Sequence, residues 1–267
     1  MNADRMAPNT SQRPRWFAPV LTLPSLVAVL LLLAWEGAVR YSRNDLFPGP
    51  WQVGLGVVEL LRKGLLLKYT VASLFRVTWG FLLAVLVGVP FGLFLGWFRT
   101  AYLAFNPLIQ VLRPISPIAW IPLAILWFGV SDAAPVFLIF LASVFPITVS
   151  ATAAVRDLQP VYVRAARNFG IGRVQLFLRV ILPATLPQVL TGLRIALGVA
   201  WLVVVAAEMI AVNSGLGYLI IDARNAGKRY DLVVAGMVII GLIGLGLDLL
   251  LRRAERLEGV SWGYAHR

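Results

Sequence analysis

Four arginines lie in the segment 163–183, VRAARNFGIGRVQLFLRVILP, which contains no acidic residue. Arg164 and Arg167 are three residues apart, so a helix would carry them on one face. Another face of the same helix would carry Val161, Ala165 and Phe169. Because proline suits the first turn of a helix and glycine the position past its end, Pro160 and Gly170 predict a short helix between them.

The second half of the segment predicts another short amphipathic helix. Gly170 and Gly172 allow the chain to reverse, and Arg173 and Arg179 then lie opposite apolar residues until Pro183, where we expect the helix to end. Two interpretations remain open on physical grounds alone. The segment is either a basic loop that lies against lipid, or a rigid element that docks into an acidic groove of another protein.

Composition places the segment in an integral membrane protein. Of its 267 residues, 60% are hydrophobic and 13% are charged, with a mean hydropathy of +0.83. The net charge of +12 is spread between apolar runs, as membrane topology requires, and this argues against nucleic acid as a partner. Cysteine is absent and the single histidine is His266, which argues against thiol chemistry and against metal sites built from Cys or His.

Six apolar runs are long enough to cross a bilayer as helices. We place them at about 19–39, 72–98, 105–129, 134–155, 189–211 and 232–251, and expect prolines to break the third. Segment 1–18 is then an N-terminal tail, 19–251 a transmembrane domain with a loop at 156–188, and 252–267 a C-terminal tail. Between the first two spans, Val53, Val57, Leu60 and Leu61 predict an amphipathic helix at the membrane interface.

The distribution of lysine and arginine predicts the orientation. An arrangement with both termini in the cytoplasm leaves more of these residues inside than outside, although the outer side is basic as well. The 156–188 loop is cytoplasmic in that arrangement.

The arginine-rich segment resembles the EAA loop of bacterial ABC-importer permeases, which reads E-A-A, three residues, G, nine residues, I, any residue, L-P. Arg164 replaces the glutamate and Val180 the isoleucine, and the remaining positions match at Ala165, Ala166, Gly170, Leu182 and Pro183. The stretches LRPISPIAWIPLAILWFGVSD, LPATLPQVLTGLRIALGVAWLVVVAAEMIA and NSGLGYLIIDAR are similar to permeases for taurine, alkanesulfonates, nitrate and bicarbonate.

This resemblance implies an all-α polytopic protein with the type I ABC importer permease fold, in the bacterial inner membrane. It implies a homodimer that forms the pore, two cytoplasmic ATPase subunits and an extracytoplasmic substrate-binding protein. The chain has no P-loop motif, so ATP and magnesium are expected in the partner ATPase and no cofactor or enzymatic activity in this chain. The residues expected to couple transport to the ATPase are Arg164, Ala165, Ala166, Arg167, Asn168, Phe169, Gly170, Gly172, Arg173, Leu182 and Pro183.

Ionisable residues inside apolar spans indicate where a solute could pass. Arg113 and Arg194 either attract an anion or pair with headgroups or the loop, and Glu208 contributes either a structural hydrogen bond or a gate contact. Asp248 lies one helical turn before Arg252, which predicts an ordinary ion pair.

The proline-broken third span adds further candidates. Its freed carbonyls suit a pore lining, which makes Ser116, Trp120 and, on the fifth span, Trp201 candidates for the path, with packing as the alternative for both tryptophans. Gly215, Leu216 and Gly217 start a re-entrant helix that is expected to form an outer gate.

Other functions fit the residues less well. The favoured solute is taurine or an alkanesulfonate, with nitrate, bicarbonate or a vitamin precursor as alternatives. A secondary transporter would show internal repeats and ion-coupling acids, and a membrane enzyme would need a nucleophile and base or a metal cluster inside the spans. The sequence shows none of these patterns clearly. Composition alone does not exclude a channel as the function class.

Overall fold

The computed structural model describes residues 18–42 and 47–255 as a bundle of α-helices. The helices are α1 (Ala18–Ser42), α2 (Pro50–Arg62), α3 (Leu65–Trp97), α4 (Arg99–Leu112), α5 (Ile121–Phe128), α6 (Ala133–Arg156), α7 (Pro160–Asn168), α8 (Arg173–Leu176), α9 (Leu182–Ala211), α10 (Leu216–Gly227) and α11 (Tyr230–Glu255). The tails predicted at 1–18 and 252–267 lie outside the described residues, apart from Ala18 and residues 252–255, which are helical.

Five of the predicted membrane spans are confirmed in approximate position. Five helical segments of the described residues are long and apolar enough to cross a membrane, and α4 with the segment 117–128 gives a sixth if this pair, bent by 81°, is counted as one span. The bend falls at residues 113–116, where Pro114 and Pro117 interrupt the helical hydrogen bonds. The second span starts earlier than predicted, at Leu65.

Helices α3 and α6 form the most extensive contact of the bundle, because glycines on α3 let the two backbones approach. A Cβ on Gly80 would lie 2.7 Å from Ile139, one on Gly92 2.7 Å from Ala151, and one on Gly96 2.6 Å from Val155. Small residues promote close packing of this kind between membrane helices. Helix α9 packs against both α6 and α3, and the buried side chains of these helices form the core.

Helix α2 is amphipathic, as predicted, and packs on α11 with Val53 and Leu60 buried. Leu61, which was assigned to the apolar face, is exposed. Arg229, in the turn between α10 and α11, donates to Glu59 at 2.6 Å and to Asp231 at 2.7 Å. These bonds fasten α2 to the start of α11.

Candidate coupling element and buried ion-pair network

The helix predicted between Pro160 and Gly170 is present as α7. Pro160 occupies its first turn, and Gly170 follows its end with φ of +73°, a conformation that glycine adopts readily. The Gly170 N–H donates to the Arg167 carbonyl at 2.9 Å, which closes the last turn. Gly172 then begins α8 with an ordinary extended conformation.

Helix α7 packs on the bundle through the buried Ala166 and the partly buried Val163. Ala166 is buried in a cluster with Leu176 on α8, Ala154 on α6 and Leu93 on α3. The other predicted coupling residues of α7 and its following turn face outwards, among them Arg164, Ala165, Arg167 and Asn168. Phe169 is 84% exposed. The element therefore presents an apolar side chain and two arginines from a helix that is attached to the bundle mainly through Ala166.

The prediction that Pro183 ends the second helix is wrong. After α8 the chain makes one wide π-helical turn, Phe177–Ile181, and continues directly into α9, in which Pro183 occupies the first turn. Proline is tolerated there because the wider turn already interrupts the regular hydrogen-bond pattern. Residues 182–188, assigned to the loop, are therefore helical, and Arg173 is joined to the fifth span by a 39-residue helical segment, Arg173–Ala211.

A buried ion-pair network lies at the opposite end of α6 and α9. Glu208 on α9 is fully buried and accepts hydrogen bonds from Arg76 Nη1 at 2.7 Å and from Ser73 Oγ at 2.8 Å. Arg76 and Ser73 are three residues apart on α3 and so share a face. The Gly217 N–H adds a third bond to Glu208 at 3.0 Å.

Arg76 connects this carboxylate to two further segments. Its Nη2 donates to Asp132, directly before α6, at 2.6 Å, and its Nη1 donates to the Ser214 carbonyl at 2.7 Å. The Leu216 N–H donates to Ser73 Oγ at 2.9 Å. The network thus joins α3, α6, α9 and the start of α10, and it satisfies both buried charges.

The predicted gate residues lie against this network. Gly215 has φ of +109°, and a Cβ at this position would overlap the Glu208 carboxylate. A Cβ on Gly217 would overlap the Val205 carbonyl. Glycine is therefore required at both positions for α10 to fold back against α9.

Sequence reasoning missed Arg76, Ser73, Asp132 and Ser214. Arg76 was detectable, because it is the one ionisable residue in the run 72–98, and the rule that singled out Glu208 applies to it equally. Its partners could not be identified, because they lie far along the chain.

The other path candidates do not converge on one site in the described chain. Arg113 lies at the bend between α4 and α5 rather than at the end of a span, and both it and Ser116 are exposed. Trp120 borders an apolar cavity of about 120 Å³ with Leu141 and Phe145.

The fifth span carries the remaining two candidates for the solute path, Trp201 and Arg194. Trp201 is buried, and its ring N–H donates to the Ile240 carbonyl at 3.1 Å. Arg194 pairs with Asp248 at 3.3 Å. Asp248 also pairs with Arg252 at 2.7 Å, as predicted.

Comparison with known proteins identifies the family to which the chain belongs. Residues 88–257 match the family described as "Binding-protein-dependent transport system inner membrane component". The chain belongs to this family. It is a multi-pass permease subunit of an ABC importer in the inner membrane.

Individual relatives agree with the assignment. The chain is 37% identical to the taurine transport system permease protein of Escherichia coli over 258 residues, which cover 92% of this chain and 93% of that protein. It is 39% identical to a putative ABC transporter permease protein of Methanocaldococcus jannaschii, covering 88% of each. It is 32% identical to a nitrate import permease protein of Synechocystis, covering 90% of each.

A solved structure supports the fold. A chain of the MetNI methionine ABC transporter in an inward-facing conformation matches with a TM-score of 0.56 at 18% identity, covering 69% of this chain and 94% of that chain.

Proposed function

We propose that two copies of this permease form the translocation path for a small sulfonate, with taurine or an alkanesulfonate favoured. A substrate-binding protein delivers the solute on the outer side. Two ATPase subunits that bind ATP and magnesium grip α7 in the cytoplasm and drive the transport. Both termini are cytoplasmic in this arrangement.

The exposure of α7 carries the coupling part of the proposal. An aromatic side chain as exposed as Phe169, beside Arg164 and Arg167, has the composition of a protein-docking surface. Ala166 anchors the helix in the bundle, so a force on α7 is passed to α6, α8 and α9.

The relatives include both taurine and nitrate permeases at similar identity. We therefore keep taurine as the favoured solute and nitrate as the second candidate. Uptake of radiolabelled taurine, with nitrate, ethanesulfonate and bicarbonate as competitors, tests this directly in cells that express the chain with its ATPase and binding protein. Accumulation of nitrate but not of taurine would overturn the sulfonate assignment.

Two glycines provide a matched test of coupling. Gly170→Ala forces alanine into a left-handed conformation, whereas Gly172→Ala meets open space in an ordinary conformation. We expect Gly170→Ala to lower both ATPase co-purification and uptake several-fold and Gly172→Ala to change neither. Gly170→Asn should restore much of the loss, because asparagine tolerates this conformation better than alanine.

Phe169→Ala separates docking from folding. Because the side chain is exposed, its removal should leave the thermal unfolding temperature unchanged while it weakens ATPase association. The coupling proposal is wrong if Phe169→Ala and Gly170→Ala both retain full association and transport.

A further inference from the structure

A cavity lies between α4 and α6, at the end of the bundle that carries α7. Its volume is about 200 Å³, and its polar lining consists of Tyr102, Asn106, Gln110, Thr152, Arg156 and Asp157. None of these residues belongs to the coupling surface or to the Arg76 network. The cavity therefore requires its own explanation.

The cation in this cavity is held in place but not neutralised. The Arg156 guanidinium carbon lies 3.8 Å from the centre of the Tyr102 ring, which is a cation–π contact. No carboxylate in the part of the chain that the structure describes pairs with it. Its edge N–H groups remain available, and a guanidinium edge matches two oxygens of an oxyanion.

The carboxylate in the same cavity, Asp157, also has no ion-pair partner among the described residues and, like Arg156, it is exposed to solvent. Six acidic side chains among residues 18–42 and 47–255 form ion pairs, namely Glu36, Glu59, Asp132, Glu208, Asp231 and Asp248. Asp222 accepts a hydrogen bond from Tyr218 at 3.5 Å. Asp157 has no such donor within those residues.

Asp157 is exposed, and its position at the end of α6 weakly disfavours its charge. It is the residue at which α6 ends, and its carboxylate therefore lies near the negative end of the helix dipole. A carboxylate is disfavoured there by a few tenths to about 1 kcal/mol. A bound cation would relieve this repulsion.

We propose that this cavity binds a small zwitterion, with its oxyanion on Arg156 and its ammonium group on Asp157. The amides of Asn106 and Gln110 complete the polar wall. The inference rests on the proposed transport of a sulfonate and extends it, because it selects an aminosulfonate such as taurine over nitrate or a simple alkanesulfonate. The cavity then serves as a site that the solute occupies at the cytoplasmic mouth.

Equilibrium binding of radiolabelled taurine to the full-length chain in lipid nanodiscs, without the binding protein, tests the proposal. Unlabelled taurine should displace the label. Ethanesulfonate lacks the ammonium group and should displace it about tenfold less well, the difference expected for one lost charge-assisted contact.

Two variants separate the contribution of the Asp157 charge to binding from that of the Arg156 charge. Asp157→Asn should weaken taurine binding about tenfold and make taurine and ethanesulfonate equal competitors, since only the ammonium contact is lost. Arg156→Gln should abolish binding of both. Arg253→Gln, at an exposed arginine on α11, is the matched control and should bind like the wild type.

The altered preference of Asp157→Asn is the decisive result, because a merely structural aspartate would not change it. The proposal is overturned if the wild-type chain shows no displaceable taurine, or if Asp157→Asn keeps the preference for taurine. It is also overturned if Asp157→Asn weakens only ATPase association. Taurine uptake by the complete importer without binding to the isolated chain would refute this site and leave the proposed function intact, whereas failure to accumulate any sulfonate would refute the proposed function.

Discussion

Arg76 on α3 donates to Glu208 on α9 across 2.7 Å, and both side chains are withdrawn from solvent. Removal of one member of a buried pair leaves the other charge without compensation and costs about 3–5 kcal/mol. We therefore expect Glu208→Leu to lower the thermal unfolding temperature of the purified chain strongly. Glu208→Gln should lower the stability less. Its carboxamide oxygen still accepts hydrogen bonds from Ser73 and Gly217, and Arg76 keeps its ion pair with Asp132. Equal unfolding temperatures for the wild type and Glu208→Leu would contradict a stabilising role.

Gly215→Ala should destabilise the turn into α10. The new Cβ meets the Glu208 carboxylate, and a φ of +109° is strained for alanine. Gly198→Ala on α9 is the control, since its Cβ meets open space in an ordinary helix. We expect folded yield and unfolding temperature to fall for Gly215→Ala and to stay level or rise slightly for Gly198→Ala. A larger loss of stability for Gly198→Ala than for Gly215→Ala would show that the turn into α10 accommodates a side chain at residue 215.

Gly92→Leu should separate α3 from α6. A Cβ at Gly92 already lies 2.5 Å from the Thr148 carbonyl and 2.7 Å from Ala151, so a larger side chain cannot enter without moving the backbone. Gly241→Leu on α11 adds the same atoms where no neighbour lies within 4 Å. Size-exclusion profiles and unfolding temperatures of the two variants in detergent should differ clearly. A normal profile for Gly92→Leu would show that the α3–α6 contact is not close-packed.

The contact between α2 and the α10–α11 turn should weaken at low pH. The hydrogen bond from Arg229 lowers the pKa of Glu59 from 4.5 to about 2, helped by Lys63. Hydrogen bonds to Asp231 and Glu59 raise the pKa of Arg229 in turn. Because the folded-state pKa of Glu59 lies below its unfolded value, the stabilisation is complete above pH 4.5 and is lost as the pH falls towards 2.

Thermal unfolding of the wild type and of Glu59→Gln across this pH range provides the measurement. The difference between their unfolding temperatures should be constant above pH 4.5 and shrink below it. A difference that does not vary with pH would mean that the Glu59 charge does not contribute.

The local features of this protein could be predicted from its sequence. Apolar run length located the spans, and Pro160 with Gly170 delimited α7, because each of these signals acts over a few residues. Pro183 misled the prediction, since a proline can equally begin a helix, and a π-helical turn leaves no clear mark in the sequence.

The buried network could not be predicted in the same way. Arg76 and Glu208 are 132 positions apart, and Arg76 and Ser214 are 138 apart. Periodicity predicts which face of a helix is apolar, but not which distant helix it meets. The charge of Arg76 inside an apolar run could have indicated that a partner exists, but only the packing of α3 against α9 identifies this partner.

The helical segment Arg173–Ala211 contains 39 residues, which at a rise of about 1.5 Å each gives a rod of about 58 Å. Its first residue lies next to the arginine-bearing helix, and Glu208 lies in its last turn. An α-helix is stiff along its axis, so this rod resists shortening, and the broad turn at Phe177–Ile181 is where it yields most readily to torque. A tilt imposed at the Arg173 end of this rod therefore also displaces the end that carries Glu208.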